Sequence, residues 1–332
     1  MKFSMNSRKK AFLQISLFIL TLITTTLAGA EWSTNKFLLS SENKMNWEDF
    51  LFGLNYSLPF LGILTVHEFG HFFAARWYRV RVSFPWYIPQ WFGIFPSIGT
   101  FGAVIRIKDR IISRKIFFDV GLAGPLAGFI IALGVLTYGF SNLPPKEYIY
   151  EIHPEYKEYE NYETEAYQDK EDGVLKLGTN LIFMFFSEYV ASDPDLVPNA
   201  YEMIHYPYLF AGFLALFFTA INLLPIGQLD GGHILYGIFG YKRHKSISRT
   251  LFLIFIFMAG IGFVSIRQPW EELLTTGLIY FAFLYIALHS FNLSRLNRIT
   301  LAMIIFTGQL IFNLIFPQIQ GFSVWLAFAL LI

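Results

Sequence analysis

Three ionisable residues in one short stretch, His67, Glu68 and His71, have the spacing of a metal-binding catalytic motif. Residues at i and i+4 of an α-helix project from the same face about one turn apart. Both imidazoles can therefore reach one tetrahedral zinc ion. The carboxylate of Glu68 follows the first histidine directly, where it can take a proton from a zinc-activated water. The pattern predicts a hydrolytic zinc site.

The motif lies inside an apolar run, residues 51–75, that is long enough to cross a bilayer. Ionisable residues are expensive at membrane depth, so they indicate a functional site there by default. A lone membrane histidine is more often a packing residue between helices. Two histidines and a glutamate within one helical turn have no comparable structural use, which favours metal binding.

The third ligand is expected to be Asp230, in the stretch 222–233 that ends a later apolar run. Two histidines and one carboxylate leave a fourth tetrahedral position for water, which is typical of catalytic rather than structural zinc. The chain has no cysteine, so thiolate zinc sites and disulfides are excluded. Any metal here must be held by histidine and carboxylate.

These two motifs, HExxH in one apolar segment and Asn-x-x-Pro followed by Leu-Asp-Gly in another, resemble the site-2 protease family of intramembrane zinc metalloproteases. The resemblance covers most of residues 15–235. In three further stretches, 20–32, 99–105 and 121–128, the chain is similar to the branch of this family found in archaea, bacteria and plant chloroplasts.

The resemblance implies one Zn²⁺ per chain, held by His67, His71 and Asp230, with Glu68 as the proton-transferring carboxylate. It also matches Asn222 to the family's asparagine, whose amide could donate to the carbonyl oxygen of the scissile bond. The alternative for Asn222 is a buried amide satisfied by neighbouring backbone.

Composition indicates an integral membrane protein, with 55% hydrophobic and only 15% charged residues among 332. We expect an all-α polytopic fold with about seven transmembrane helices and a basic, cytoplasmic N-terminus. The first run could instead be a cleaved signal peptide, but its length favours a retained helix. The apolar runs are 12–30, 51–75, 117–140, 206–224, 250–264, 273–288 and 299–316, followed by a short tail at 322–332.

We predict five parts along the chain, with a three-helix catalytic core near 52–75, 117–140 and 206–225. The parts are an N-terminal membrane helix with an external linker (1–50), the first part of the core (51–140), an acidic, tyrosine-rich extracytoplasmic insertion (141–205), the second part of the core (206–240) and C-terminal membrane helices (241–332). The basic residues at 242–249 are expected to form a cytoplasmic loop. His153 and His205 fall in the insertion and are not assigned as ligands.

The stretch 82–107 predicts a re-entrant β-hairpin or loop beside the core, because its prolines and glycines interrupt helical continuity. Irregular backbone at membrane depth is tolerated only against protein or water. A strand edge there would suit binding of an extended substrate through main-chain hydrogen bonds. The alternative is a structural plug.

The expected function is hydrolysis of peptide bonds in single-span membrane proteins, near the cytoplasmic face of the lipid bilayer. An upstream protease or an accessory membrane protein is a possible partner, and no nucleic acid is expected. Because no long transit peptide precedes the first run, we expect a prokaryotic cytoplasmic membrane. Two alternatives remain: a zinc transporter that uses the same ligands without hydrolysis, and an inactive scaffold for membrane proteins.

Overall fold

The computed structural model describes residues 7–41, 43–93, 97–167 and 175–329. Parts of the predicted N-terminal segment (1–6), hairpin (94–96), insertion (168–174) and C-terminal tail (330–332) lie outside the described residues. The chain forms two compact units, Met1–Asn222 and Leu223–Ile332.

Helices dominate the first unit, with one small sheet. Its helices are α1 (Ser7–Thr34), α2 (Trp47–Phe52), α3 (Leu54–Trp77), α4 (Arg114–Ser141), α5 (Glu147–Ile152), α6 (Tyr162–Glu165), α7 (Leu181–Tyr189) and α8 (Pro207–Asn222). Its strands are β1 (Trp86–Pro89) and β2 (Thr100–Val104).

Five helices in the described part of the chain are long and apolar enough to cross a membrane, which confirms an integral membrane protein. They are Arg8–Thr34, Trp47–Trp77, Arg114–Ser141, Trp270–Phe291 and Arg295–Ile315. Seven spans are not confirmed. The predicted helix at 206–224 forms as α8, which has only 16 residues, and the run at 250–264 is joined to a basic helical segment.

Helices α3, α4 and α8 pack together as the predicted three-helix core. Two alanines allow close packing at its centre, where Ala132 and Ala215 form one buried cluster with Ile63. Helix α8 runs parallel to α3. The evidence is that Tyr208 donates to Oδ1 of Asn55 at 3.1 Å near the start of both helices, while Ile63 and Ala215 meet about two turns later in each. The motif residues 67–71 of α3 and Asn222 of α8 therefore lie toward the same end of the core.

The predicted hairpin forms as an antiparallel pair of strands, β1 and β2, with Trp86 opposite Val104. The chain just before β2 is held by three side chains from helices. Thr24 donates to the carbonyl of Gly99 at 2.7 Å, Trp32 to that of residue 97 at 2.7 Å, and Tyr56 to that of residue 98 at 3.0 Å. These bonds fix the hairpin against α1 and α3.

Gly99 is required at this junction. Its φ is +88°, and a Cβ there would lie 2.3 Å from Cα of Thr25. A larger residue would be strained by its backbone conformation and would also collide with α1.

The acidic insertion contains short helices and many packed tyrosines rather than a long span. The apolar run at 181–189 forms α7, and its N-cap Asn180 accepts from the backbone N–H of Phe183 at 3.0 Å. Phe183 and Phe186 pack on Phe140 of α4. One edge of the insertion is therefore joined to the helical core.

The second unit consists of α9 (Asp230–Ala259), α10 (Trp270–Ala287), α11 (Arg295–Ile315) and α12 (Leu326–Ala329). The prediction of a loop at 242–249 is wrong, because these residues are helical within α9. They are lysines, arginines and other residues without glycine or proline, which propagate a helix well. The interruption lies earlier, at Gly240, with φ of 74°.

Candidate metal centre

His67 and His71 lie on one face of α3, and their Nε2 atoms are 3.2 Å apart. Both side chains are buried, with exposures of 7% and 6%. The i, i+4 spacing on a continuous helix produces this arrangement, as the sequence predicted.

A backbone carbonyl of α4 sets the tautomer of His71. Its Nδ1 lies 2.6 Å from the carbonyl oxygen of Val120. A carbonyl can only accept, so Nδ1 carries the proton and the lone pair is on Nε2, facing His67. An outer partner of this kind is what metal-bound histidines usually have.

The two Nε2 atoms fit a shared zinc ion. Zn–N bonds of 2.0–2.1 Å in tetrahedral geometry place two nitrogen ligands about 3.3 Å apart. The observed 3.2 Å is close to this separation. The donor set and its spacing therefore suit Zn²⁺.

Glycines of α3 and α4 create the space for these imidazoles. A Cβ on Gly124 would lie 2.1 Å from Nε2 of His71, and one on Gly128 would lie 3.0 Å from Cβ of His67. On α3 itself, a Cβ on Gly70 would lie 2.5 Å from a backbone carbonyl oxygen of α4. Gly124 therefore faces the Nε2 edge of the His71 ring.

Glu68 is also buried, at 6% exposure, and follows His67 on the same helix. The hairpin contacts α3 one turn earlier, where Oγ1 of Thr65 and the hydroxyl of Tyr87 are 2.8 Å apart. Leu61 and Tyr87 belong to one buried cluster that also includes Ala103 of β2. The sheet is thus positioned beside the helix that carries the motif.

Asn222 is the last residue of α8 and is half-buried. Helices α3 and α8 run parallel and meet at Ile63 and Ala215. Asn222 is seven residues beyond Ala215, a rise of about 10 Å, whereas residues 67–71 are about 6–12 Å beyond Ile63. By this measure the asparagine reaches the depth of the histidine pair.

Asp230 is the first residue of α9, in the second unit, and is half-buried. The turn before it is compact. The hydroxyl of Ser248 accepts from the backbone N–H of Gly227 at 2.8 Å, and a Cβ on Gly231 would lie 2.1 Å from the carbonyl oxygen of Leu223. The glycines that follow Asp230 are therefore needed for the turn at 223–227 to pack closely on the first turn of α9. The role of Asp230 as a ligand stays a prediction.

The sequence analysis did not predict two contacts near this site. They are the hydrogen bond from His71 to the Val120 carbonyl and the contact between Thr65 and Tyr87. Val120 acts through its backbone carbonyl, which no side-chain pattern could indicate. Tyr87 was within the predicted hairpin, but only the fold shows that its hydroxyl meets α3.

The chain is similar to plant proteins named as probable zinc metalloproteases. The chain is 33% identical over 215 residues to "Probable zinc metalloprotease EGY1, chloroplastic" of Oryza sativa subsp. japonica, which covers 63% of this chain and 32% of the relative. It is 27% identical over 237 residues to the EGY2 protein of Oryza sativa subsp. indica, covering 71% and 38%. It is 34% identical over 181 residues to the EGY1 protein of Arabidopsis thaliana, covering 54% and 28%.

The chain thus spans about a third of the length of the curated relatives it matches. Their names place them in chloroplasts, so they give no support to the predicted prokaryotic membrane. No solved structure matches.

The family model described as "Peptidase family M50" matches residues 55–266, a range that contains the histidine pair, Glu68, Asn222 and Asp230. This range is well over half of the chain and includes both of the motifs that the sequence analysis described. The chain belongs to peptidase family M50.

Proposed function

We propose that this protein is an intramembrane zinc metalloprotease. The observation that carries the proposal is the His67–His71 pair, with Nε2 atoms 3.2 Å apart and the tautomer of His71 set by the Val120 carbonyl. Membership of a peptidase family and relatives named as zinc metalloproteases support it.

We propose Asp230 as the third ligand. A carboxylate completes the donor set of two histidines and one acid that is common at catalytic zinc, and it leaves a fourth position for water. The compact turn from Gly227 to Gly231 gives Asp230 a fixed place at the start of α9, which supports the assignment.

Zinc, when bound, would supply Lewis acidity to the substrate carbonyl and a water of lowered pKa. Glu68 would take a proton from the attacking water and pass it to the leaving amine. Asn222 donates from its amide to the carbonyl oxygen as negative charge develops there. Burial of His67, Glu68 and His71 keeps the site away from bulk solvent and strengthens these interactions.

The hairpin is proposed to re-enter the membrane and bind the substrate as an added strand. The described sheet has two strands, so each has its partner on one side only. Phe101 and Val104 of β2 are exposed, at 62% and 52%, and could contact an apolar substrate segment. A substrate helix must unwind to be cut, and main-chain pairing with β2 would stabilise the extended form.

The substrates are proposed to be single-span membrane proteins, with an upstream protease or an accessory membrane protein as a possible partner. Seven crossings remain our proposal for the topology. Helix α8 and the second half of α9 would add to the five long helices. The basic start of α1 would face the cytoplasm or its organellar equivalent, by the positive-inside rule.

The proposal is tested with Glu68→Gln, measured by cleavage of a single-span substrate in reconstituted vesicles. The variant is expected to retain zinc while cleavage falls at least about 10²-fold, because the proton acceptor is lost but the ligands remain. Glu272→Gln, an exposed glutamate of α10, is the matched control and is expected to cleave normally. Full cleavage by the Glu68→Gln protein would refute hydrolysis at this site and favour the transporter alternative.

A further inference from the structure

A second cluster of metal-binding side chains lies in the acidic insertion, away from the α3 motif. It consists of His153, Glu202 and His205, each of which offers one ligand atom, and these atoms all lie within 4.8 Å of one another. His153 follows α5, and His205 ends a 3-10 turn just before α8. All three belong to the first unit.

The histidine nitrogens are arranged as they are at the α3 motif. The Nε2 atoms of His153 and His205 are 3.1 Å apart, close to the 3.2 Å between those of His67 and His71. This again approaches the separation of about 3.3 Å expected for two nitrogen ligands of one tetrahedral zinc ion.

Hydrogen-bond acceptors at Nδ1 set the tautomers of both histidines. Nδ1 of His205 lies 2.6 Å from the backbone carbonyl oxygen of Trp32, at the end of α1, and Nδ1 of His153 lies 3.1 Å from Oε1 of Glu155. Both oxygens are acceptors, so each Nδ1 carries a proton and each Nε2 presents a lone pair. Two lone pairs facing each other at 3.1 Å repel unless a cation or a proton lies between them.

The carboxylate of Glu202 is oriented toward the same point. Its side chain is buried, at 3% exposure, and Oε1 accepts hydrogen bonds from the hydroxyls of Tyr156 and Tyr167. Oε2 is buried and accepts no hydrogen bond from any residue that the structure describes. It lies 3.5 Å from Nε2 of His205 and 3.8 Å from Nε2 of His153.

A buried carboxylate oxygen without a hydrogen bond is costly, and a bound cation would remove that cost. His205 is 5% exposed. With its proton on Nδ1, the imidazole has the neutral form that coordinates metals.

We propose that His153, Glu202 and His205 form a second metal site, which takes a divalent transition-metal ion of the zinc class. Two imidazoles and one carboxylate suit zinc rather than calcium or magnesium, which prefer all-oxygen sites. The ion joins segments 52 residues apart, from His153 to His205. Through Trp32 and the start of α8 it fastens the insertion to the helices of the core.

The proposal is tested by counting zinc in the purified full-length chain, in detergent, after dialysis into zinc-free buffer. The parent is expected to hold two ions, and His67→Ala/His71→Ala is expected to hold one. Glu202→Gln should also hold one, because the amide keeps an acceptor for the tyrosines but loses the charged ligand. The combined variant should hold none. His289→Gln, a histidine of the second unit outside both clusters, should hold two.

This experiment can overturn either of the two proposed sites independently of the other. Loss of all metal in His67→Ala/His71→Ala would overturn the second site and leave the proposed protease intact. If the zinc count falls in Glu202→Gln but not in His67→Ala/His71→Ala, the result would support the second site and argue against zinc at α3. If Glu202→Gln does not fold, judged by its thermal unfolding, the count in folded His67→Ala/His71→Ala decides alone: one ion supports the site and none overturns it.

Discussion

His71 shows how a single backbone carbonyl can prepare a side chain for metal binding. The Val120 oxygen accepts from Nδ1, so the lone pair is directed to the Nε2 atom that faces His67. The sequence predicts the two histidines and Glu68 directly, because their positions on one helix are set by local spacing. It cannot predict the role of Val120, which is 49 residues away and contributes no side-chain chemistry.

The same contrast explains why the cluster in the insertion was not predicted. His153 and His205 are separated by 52 residues, and Glu202 lies within an irregular stretch between short helices. No helical or strand period connects them. Only the fold brings their ligand atoms together, so the sequence analysis did not assign them as ligands.

Asn222 supports a prediction about the chemical step. Asn222→Ala is expected to lower kcat for peptide cleavage about 10²–10³-fold, the usual cost of removing one donor to a developing oxyanion. Zinc content should not change, because the amide is not among the proposed ligands. The measurement is single-substrate kinetics together with a metal count.

The matched control for this prediction is Asn142→Ala, at the C-terminal end of α4, where the exposed amide donates to the Tyr138 carbonyl at 2.9 Å. It should leave kcat unchanged. If Asn222→Ala cleaves as fast as the parent, the amide has only a structural role at the end of α8.

Among the helices, α3 and α4 approach closely, and the proposed metal centre depends on this approach. The apolar runs predicted these helices to within a few residues, because about twenty apolar residues in lipid must satisfy their backbone as a helix. The basic segment at 242–249 was predicted as a loop, since topology rules place it in water. Topology rules say nothing about backbone conformation, and this segment continues α9.

Gly124 gives a prediction at this helix contact. Gly124→Ala would place a Cβ 2.1 Å from Nε2 of His71, so the imidazole or the helix must move. We expect one of the two proposed zinc ions to be lost, with overpacking that costs about 1–3 kcal/mol of stability. Zinc content and thermal unfolding in detergent measure the two effects.

Gly134→Ala, on the same helix, is the matched control, because a Cβ there would meet no atom of the described residues within 4 Å. It should keep its zinc and gain up to about 1 kcal/mol of helix stability. Equal zinc content in the two variants would show that α4 does not need a glycine opposite His71.

The whole molecule has a helical membrane core with one proposed catalytic ion, and an insertion in which we propose a second ion. The broad class followed from composition, because a chain that is 55% hydrophobic and 15% charged is not expected to be stable as a soluble domain. The number of spans could not be derived in the same way. Helix α8 is too short for the usual length rule, although it lies within the packed core.

The proposed catalytic zinc ion depends on Asp230 as the third ligand beside His67 and His71. The direct test is the zinc count of Asp230→Asn made in the Glu202→Gln background, where only the α3 site is expected to be filled. We predict a fall from one ion to none, because a neutral amide is a poor zinc ligand. Asp109→Asn, which removes an exposed ion pair with Arg81, should keep one ion. One full zinc ion in the Asp230→Asn protein would contradict the account.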